Sequence, residues 1–499
     1  VSPILIFGQS YSILYFKEGK IMTEKVKETE HLERTLKPLH LWALAVGLVI
    51  SGNYFGWSYG YGTGGPLGLF LACIPVVIFY GTFIFCYTEM ATMIPHAGGP
   101  SAYARRAMGP AAGYFAGISC LIEFLFAPPA IALAVGGYIH NLFPVVPTMA
   151  AAIIAFIVFV FINFLGMRTS AIFELVVTIV ALVGLCIFWG AAIPHASMAS
   201  FLQPLTESNG FSGFLQYIPG GWTGVMASVP FAIWFYLALE GGAMTAEEMV
   251  NPQKDIPKGF LTAMLTLFIM MCFTLYLTAG IVDYNQVSAV DFPLPLALEA
   301  VYGKGILTLV VNFLGLFGLV ASLNGIIVGS SRQLYAMART GYLPKILATV
   351  NHKRHTPTAA LITAGIIGIV AASTGLTSVV ITISVFGSVA LYFISLISFF
   401  MLRAKEPDLK RPFRVAAGNL VGGVSMLMCI FCLISLFVTT VGLSLPESSL
   451  AYMVLGNVTI NPLWATVVIF VLAYVWYLIG GKKNIRPFEE EFDVMNDLD

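Results

Sequence analysis

Twelve apolar runs, each long enough to cross a lipid bilayer, constrain this chain more than any other feature. They lie near residues 40–61, 67–90, 113–140, 147–166, 171–192 and 224–248, then near 259–282, 306–331, 358–374, 378–402, 418–443 and 462–480. A helix needs roughly 20 apolar residues to span the hydrocarbon core. Every backbone polar group must be satisfied internally there, which leaves helices or closed barrels. The runs therefore predict an all-α membrane protein with twelve transmembrane helices. The supply of charge agrees. Only 10% of the 499 residues are charged, against roughly a quarter in soluble domains, and a water-facing surface cannot be built from so few.

The basic residues test the count independently. With the N-terminus placed in the cytoplasm and the runs alternating, 24 of the 25 Lys and Arg residues fall inside and only Lys304 falls outside. Short loops follow this positive-inside sorting, and a missing or extra span would scramble it. The orientation expected is a multi-pass protein of the cytoplasmic membrane with both termini inside. Lys+Arg and Asp+Glu balance at 25 each, so charge suggests no nucleic-acid partner. The seven cysteines (73, 86, 120, 186, 272, 429 and 432) all lie in apolar runs, without zinc-ligand spacing or a disulfide framework. Residues Val1 to Phe16 lack the leading charges and cleavage site of a signal peptide. Met22 opens a hydrophilic stretch, Thr23 to Lys37, and the expectation is a working start at Met22 with 1–21 an upstream extension.

Two runs are interrupted. The first contains Ser51-Gly52-Asn53-Tyr54-Phe55-Gly56 and the sixth contains Leu239-Glu240-Gly241-Gly242. Freed backbone at membrane depth survives where it lines a cavity, and breaks five helices apart fit two five-helix units related as inverted repeats, with a substrate site where the breaks meet. Glycines serving close helix packing are the alternative. Glu240 is the most informative residue, because an ionised carboxylate in an apolar segment is expensive and usually faces a cavity. It is a candidate for binding an ammonium, for carrying a proton, or for both; a structural partner to the break is the other reading. Trp234, Tyr236, Tyr54 and Trp57 offer π-faces to a cation. Ser51, Gly52 and Asn53 offer backbone donors for an anion or hydroxyl. Glu123, before Pro128-Pro129, and Asn324 with Ser322 are further polar groups at depth, placed on the pathway or bonding across helices.

Three connecting segments carry patterned charge and Gly/Pro punctuation. They run Glu89 to Tyr103 with Pro95-His96-Ala97-Gly98-Gly99, then Glu247-Glu248 to Pro257 with Asn251-Pro252, then Ser331-Arg332 to Pro344 with Ala338-Arg339-Thr340-Gly341. From chemistry alone these are hinges suited to gating ion pairs, with Glu89, Arg105, Glu247, Glu248 and Arg332 as candidates, or ordinary solvated loops.

Together these motifs resemble the signatures of the amino acid–polyamine–organocation superfamily over nearly all of residues 35–480. Within it, Leu39-His40-Leu41-Trp42-Ala43-Leu44 and Val49-Ile50-Ser51-Gly52-Asn53-Tyr54-Phe55-Gly56-Trp57 look like the first-helix signature of the ethanolamine permease group, although an acid is common there at the position of Asn53. The resemblance implies a LeuT-type 5+5 inverted repeat with discontinuous first and sixth helices and two accessory C-terminal helices. The corresponding division is a cytoplasmic leader over 1–38, repeats over 39–192 and 222–403 flanking an extracellular loop over 193–221, a cytoplasmic loop over 404–417, accessory helices over 418–480 and a tail over 481–499. It places Trp234 and Glu240 against substrate. Some proton-coupled relatives carry a lysine on the fifth helix three residues after a threonine. Here Thr178 is followed at that spacing by Ala181 and the fifth run has no lysine, which leaves Glu240 as the coupling candidate.

The expectation is an alternating-access secondary transporter importing a small primary amine, ethanolamine, with an amino acid permease or exchanger of the same fold as runner-up. Its partners are that substrate, the bilayer and a coupling ion, H+ or Na+; no cofactor or metal is implied. A channel would show a continuous polar stripe, a nutrient sensor an appended soluble domain, and an enzyme a nucleophile–base pair; none of these is legible.

Overall fold

The computed structural model describes residues 12–17, 20–25, 36–96, 98–164, 170–202, 210–288, 290–351, 356–438 and 442–486; for 12–17, 20–25, 170–172 and 247–248 it describes the backbone alone. Two units result, 1–35 and 36–499. The first is seen as an antiparallel hairpin of β1 (Ser12–Lys17) and β2 (Lys20–Lys25), with Tyr15 opposite Met22. That hairpin, and a two-residue ladder of β3 (Leu443–Ser444) and β4 (Thr459–Ile460), are exceptions to the expected all-α chain.

The second unit is helical because its apolar runs have no other way to satisfy their backbone. In chain order come α1 (Pro38–Tyr54), α2 (Tyr59–Met93), α3 (Pro100–Met108), α4 (Pro110–Leu142), α5 (Thr148–Phe164), α6 (Ser170–Ala192), α7 (Met198–Phe201) and α8 (Trp222–Ile233). After a 3-10 helix over Leu239–Glu248 follow α9 (Pro252–Ile281), α10 (Tyr284–Val287), α11 (Pro293–Tyr302), α12 (Ile306–Arg339), α13 (Thr358–Ala372), α14 (Thr377–Lys405), α15 (Gly418–Val438), α16 (Leu450–Leu455) and α17 (Pro462–Ile479). Proline opens α1, α3, α4, α9, α11 and α17, where its missing N–H costs nothing. Asn461 caps α17 by accepting from the amides of Leu463 and Trp464.

Among the described residues eight helices are long and apolar enough to cross a membrane: α2, α4, α6, α9, α12, α14, α15 and α17. The remaining runs fall on the shorter apolar helices α5, α8 and α13 and on α1. α2 is itself bent at Gly65 (φ +66°), just before Pro66, which separates a short segment from the long helix that follows. The apolar side chains sort by depth. In α4, 89% of the most apolar stretch is buried, against 11% in α17, so α4 is central and α17 peripheral. Val468, Leu472 and Ile479 of α17 are exposed, an apolar outer face that suits lipid rather than water. α4 packs against α14, α12 and α5, and α1 lies between α9, α12 and α6.

Both interrupted runs are broken, and each break lies a few residues from the expected place. α1 stays helical through Tyr54, and the chain departs at Phe55, which is extended (φ −161°), and Gly56 (φ +87°). The Ser322 hydroxyl from α12 explains the continuity: it accepts the Ser51 N–H at 3.0 Å and donates to the Gly47 carbonyl at 2.6 Å, splicing into one rung of α1. In the sixth run the break is 234–238, turning on Ala238 (φ +72°), while Gly241 and Gly242 lie inside the 3-10 helix. Those glycines make room for aromatic neighbours; a Cβ on Gly241 would meet the Phe124 ring at 2.7 Å.

The two broken segments press on each other, with Gly52 seated directly on the Trp234 carbonyl and Gly56 under its indole. Leu36, just before α1, bridges Met249, just after the 3-10 helix, and accepts the Val250 N–H at 2.9 Å. A Gly52→Val substitution should therefore lower the thermal stability of the purified protein, at an overpacking cost of about 1–3 kcal/mol. Gly81→Val is the control, since a Cβ there meets nothing within 4 Å. Melting followed by size-exclusion fluorescence in detergent should separate the two; equal melting temperatures would show that the breaks are not in close contact.

Candidate functional site

The deepest polar groups converge beside the second break. Ala238 occupies a left-handed conformation that costs a residue with a Cβ roughly 1–2 kcal/mol, and the Glu123 Oε1 of α4 holds it by accepting its N–H at 2.9 Å. Two residues later Glu240 brings a second carboxyl. One hydroxyl joins them: Tyr392 of α14 donates to Glu240 Oε2 at 2.9 Å, with Glu123 Oε1 at 3.4 Å. Tyr80 of α2 in turn donates to the Tyr392 hydroxyl at 3.1 Å. The Ser384 hydroxyl anchors α4 from α14 through the Glu123 carbonyl at 2.8 Å. All four central residues are buried; Glu123 Oε2 and Glu240 Oε1 accept from no donor, and the two carboxyls lie within hydrogen-bonding reach of each other.

This arrangement has a definite chemical capacity. A single phenolic proton cannot serve two carboxylates, and two like charges in a dry interior require a compensating cation or proton. The free oxygens, Glu123 Oε2 and Glu240 Oε1, are acceptors suited to an ammonium or a proton. Aromatic rings wall the pair. Tyr80 stacks on Tyr236 with centroids 5.0 Å apart, and Phe83 lies 4.7 Å from Tyr392. Nothing cationic from the protein reaches the pair among the described residues, and no group of three or more His, Cys, Asp or Glu residues there could hold a metal ion.

The other residues expected at the site divide. Trp234 lies edge-on to Phe55 at 5.5 Å, and its indole nitrogen is buried without a partner beside the first break. Asn53 is buried with both side-chain amide atoms unpartnered, and its carbonyl accepts the Trp57 indole N–H at 3.3 Å. These two keep free polar groups at the meeting of the breaks. Ser51 does not supply a free backbone donor, because its N–H is spent on Ser322. Gly52 is a contact surface for Trp234. Tyr54 points away: its hydroxyl donates to the Ala181 carbonyl, and its ring fills the space left by Gly315 and Gly318. The Tyr236 hydroxyl donates to the Met271 sulfur at 3.2 Å, so only its ring faces the carboxyl cluster. Asn324 accepts from the Asn163 amide at 3.0 Å, a bond between α12 and α5 that takes it out of the cluster.

Two of the expected gating residues have partners far away in the chain. Glu89 takes two hydrogen bonds from Arg403 of α14, one from the Val415 N–H at 2.7 Å, and lies 3.4 Å from Arg411. Arg105 instead donates to the Arg486 carbonyl. Arg332 sits on α12 and is not a partner of Glu89. Glu247 and Glu248 end the 3-10 helix, and their side chains lie outside the described residues.

Several polar residues with structural partners or buried positions went unremarked from sequence. Tyr392 and Tyr80 are two of 21 tyrosines, with no local pattern to distinguish them. Glu174 of α6 is buried against Gly47 of α1; it lies so near the start of its run that it reads as an acid at the membrane boundary. Asp291, between α10 and α11, accepts from the Tyr59 hydroxyl at 2.7 Å and from Thr377 at 3.3 Å, and so ties the first residues of α2 and α14 together.

Comparison with known proteins decides the class. Residues 36–460 match the family model for amino acid permeases. The chain belongs to the amino acid permease family. An uncharacterised transporter of Rhizobium meliloti is 27% identical over 388 residues, covering 75% of this chain and 80% of that protein. The branched-chain amino acid permease of Bacillus subtilis is 22% identical over 426 residues, covering 81% and 88%. The aromatic amino acid transport protein of Salmonella typhimurium is 26% identical over 355 residues, covering 69% and 75%. This permease is thus a multi-pass membrane transporter of amino acids or related organic substrates, and not an enzyme.

The Asp291 latch has a pH signature. Burial raises its carboxyl above the ordinary value of 3.8, with the two hydroxyl donors opposing that rise. A folded-state value above the unfolded one means that stability is greatest below the unfolded value and falls as pH climbs through the folded one. Thermal stability of the permease should therefore decline from about pH 4 upward over that window, and Asp291→Asn should flatten the decline. Parallel melting curves for the two proteins across that range would show that Asp291 is ionised throughout.

Proposed function

We propose that this permease is an alternating-access secondary transporter of a small primary amine, ethanolamine. The observation that carries the reading is the Glu123–Glu240 pair sharing one tyrosine hydroxyl beside the break at 234–238. An ammonium brings three donors and one positive charge, which matches two unpartnered carboxyl oxygens in a buried, aromatic-walled site. The small hydroxyl end of ethanolamine would then lie toward the other break, where the Asn53 amide and the Trp234 indole nitrogen are buried and unpartnered. Because the pair has no exposed surface, entry requires the broken segments to move.

In this reading the chain crosses the membrane twelve times, with both termini in the cytoplasm. Its first ten crossings form two inverted five-helix repeats, and the breaks at 55–58 and 234–238 are the discontinuities on which the repeats hinge. Support comes from the 24-to-1 sorting of basic residues and from the two breaks lying in runs five apart. Glu240 would exchange a proton for the amine, since the pair needs one positive charge at every stage.

A second reading is an amino acid permease or exchanger, favoured by relatives named as a branched-chain amino acid permease and an aromatic amino acid transport protein. An amino acid would add a carboxylate to a site that already holds two carboxyls, with only neutral donors to receive it. Uptake of labelled ethanolamine into proteoliposomes, competed with alanine, distinguishes the two. Ethanolamine should displace the label and alanine should not; the reverse result would favour the amino acid. Glu240→Gln should insert normally and lose transport by about 30-fold or more, since unpairing a buried charge costs roughly 2–5 kcal/mol. Near-normal uptake by that variant would make Glu240 a structural residue.

A further inference from the structure

Another buried acid lies away from the Glu123–Glu240 pair and from Glu89, where α6 crosses α1 and α12. Glu174 is 2% exposed, and its Oε1 has no hydrogen-bond partner. Gly47 has no side chain, and Glu174 Oε1 and Thr178 Oγ1 fill the space that a Cβ there would take. Gly325 of α12 closes the other side, 3.7 Å from Glu174 Oε1 to the position of its missing Cβ.

The hydroxyls around this carboxyl are already committed. Thr178 donates to the Ala43 carbonyl at 3.3 Å, and Ser322 donates to the Gly47 carbonyl at 2.6 Å while accepting the Ser51 N–H. Their protons cannot serve Glu174 at the same time. Nor does any charge from the described residues of the surrounding elements reach it. The charged and titratable side chains on α1, α9, α11 and α12 include His40, Lys254, Asp255, Lys258, Glu299, Tyr302, Arg332 and Arg339, and on α6 itself Cys186. None makes an ion pair or hydrogen bond with Glu174. A lone carboxylate in such a place is costly, and one proton is the smallest species that removes the cost.

We propose that Glu174 is a proton-carrying site of the transport cycle, separate from the Glu123–Glu240 pair. The step is a simple balance. The carboxylate takes a proton from water at one membrane face when α1 has moved off α6, an O–H bond forms, and the closed contact with Gly47 holds the neutral acid. When α1 separates toward the other face, that O–H bond breaks and the proton passes to water. The glycine and the spliced rung of α1 make this possible: the helix closes flush on the acid yet is held at that level by one exchangeable hydroxyl. The proposal rests on the chain being a transporter and is independent of which substrate it carries.

Two measurements test it, one of which needs no substrate. Infrared difference spectra between acid and alkaline buffer should show the C=O stretch of a buried protonated carboxylic acid that is absent from Glu174→Gln and retained in the Glu123→Gln/Glu240→Gln double variant. Glu174→Asp, which keeps the acid, should shift the band rather than remove it, and serves if the Gln variant does not fold. A band set unchanged by both Glu174 substitutions would overturn the proposal. So would a band that disappears on adding Na+ at constant pH, which would make this a sodium site. In proteoliposomes an inward proton gradient should raise initial uptake of ethanolamine or alanine, whichever is carried, several-fold in the wild type. Glu174→Gln should keep substrate exchange and lose that stimulation; full stimulation in that variant would refute the role even with the band assigned.

Discussion

The cost of keeping two carboxyl groups in a dry interior is the constraint on which the centre of this permease depends. Glu123 and Glu240 come from different elements and meet beside a single shared phenol. Glu123 also holds the N–H of Ala238, the one residue of the second break in the left-handed region. The same carboxylate thus shapes the backbone and faces the space a ligand would fill. In the proposed function, a cation drawn to the pair would change the charge on the group that holds the break, linking occupancy and helix geometry through one side chain.

The aromatic residues give this polar centre its boundary. Tyr80 stacks on Tyr236 and meets Tyr392 edge-on, while Phe79 and Phe83 close on the Tyr392 ring. Rings of this kind exclude water from the carboxyls while keeping their own hydroxyls available, which is why Tyr392 and Tyr80 form a relay and Tyr236 turns its hydroxyl to Met271. Low dielectric then strengthens whatever charge enters. At one end of the bundle the same economy appears in a different form. There Glu89 is buried with Arg403 and Arg411 and with a backbone donor, a carboxylate with cations beside it where the central pair has none among the described residues.

Much of this was legible in sequence because membrane physics writes strong local signals. The apolar runs found helices, the glycine-rich interruptions found both breaks to within a few residues, and the isolated acids found Glu240 and Glu123. What escaped was set by partners far away in the chain. The first break lies beyond Asn53 because a hydroxyl 271 residues away repairs the rung at Ser51. The second turns on Ala238, not on Gly241 or Gly242, because Glu123 holds an alanine in a conformation glycine would adopt freely. For Asn324 a site role and a bond across helices were both open until its partner on α5 appeared, and Tyr392 looked like any other aromatic. The Glu89 pairings join residues more than 300 positions apart, and no spacing rule reaches that far.

The remaining question is how one helix can serve both polar sites. α1 presents Gly47 to Glu174 and Thr178, then Gly52 to the Trp234 carbonyl, and the chain after it passes Gly56 beneath the Trp234 indole. Within the helix a rise of about 1.5 Å per residue puts Gly47 and Gly52 roughly 7–8 Å apart along the axis. Missing side chains let α1 lie flush against both neighbours, and a rigid helix cannot leave one contact without altering the other. The coupling therefore needs no chain of intermediate residues. In the proposed cycle, a rigid shift of α1 that frees Glu174 would also unseat Gly52 from Trp234, beside the break next to the carboxyl pair. Close packing of bare backbone is what would couple the two proposed sites while keeping them separate.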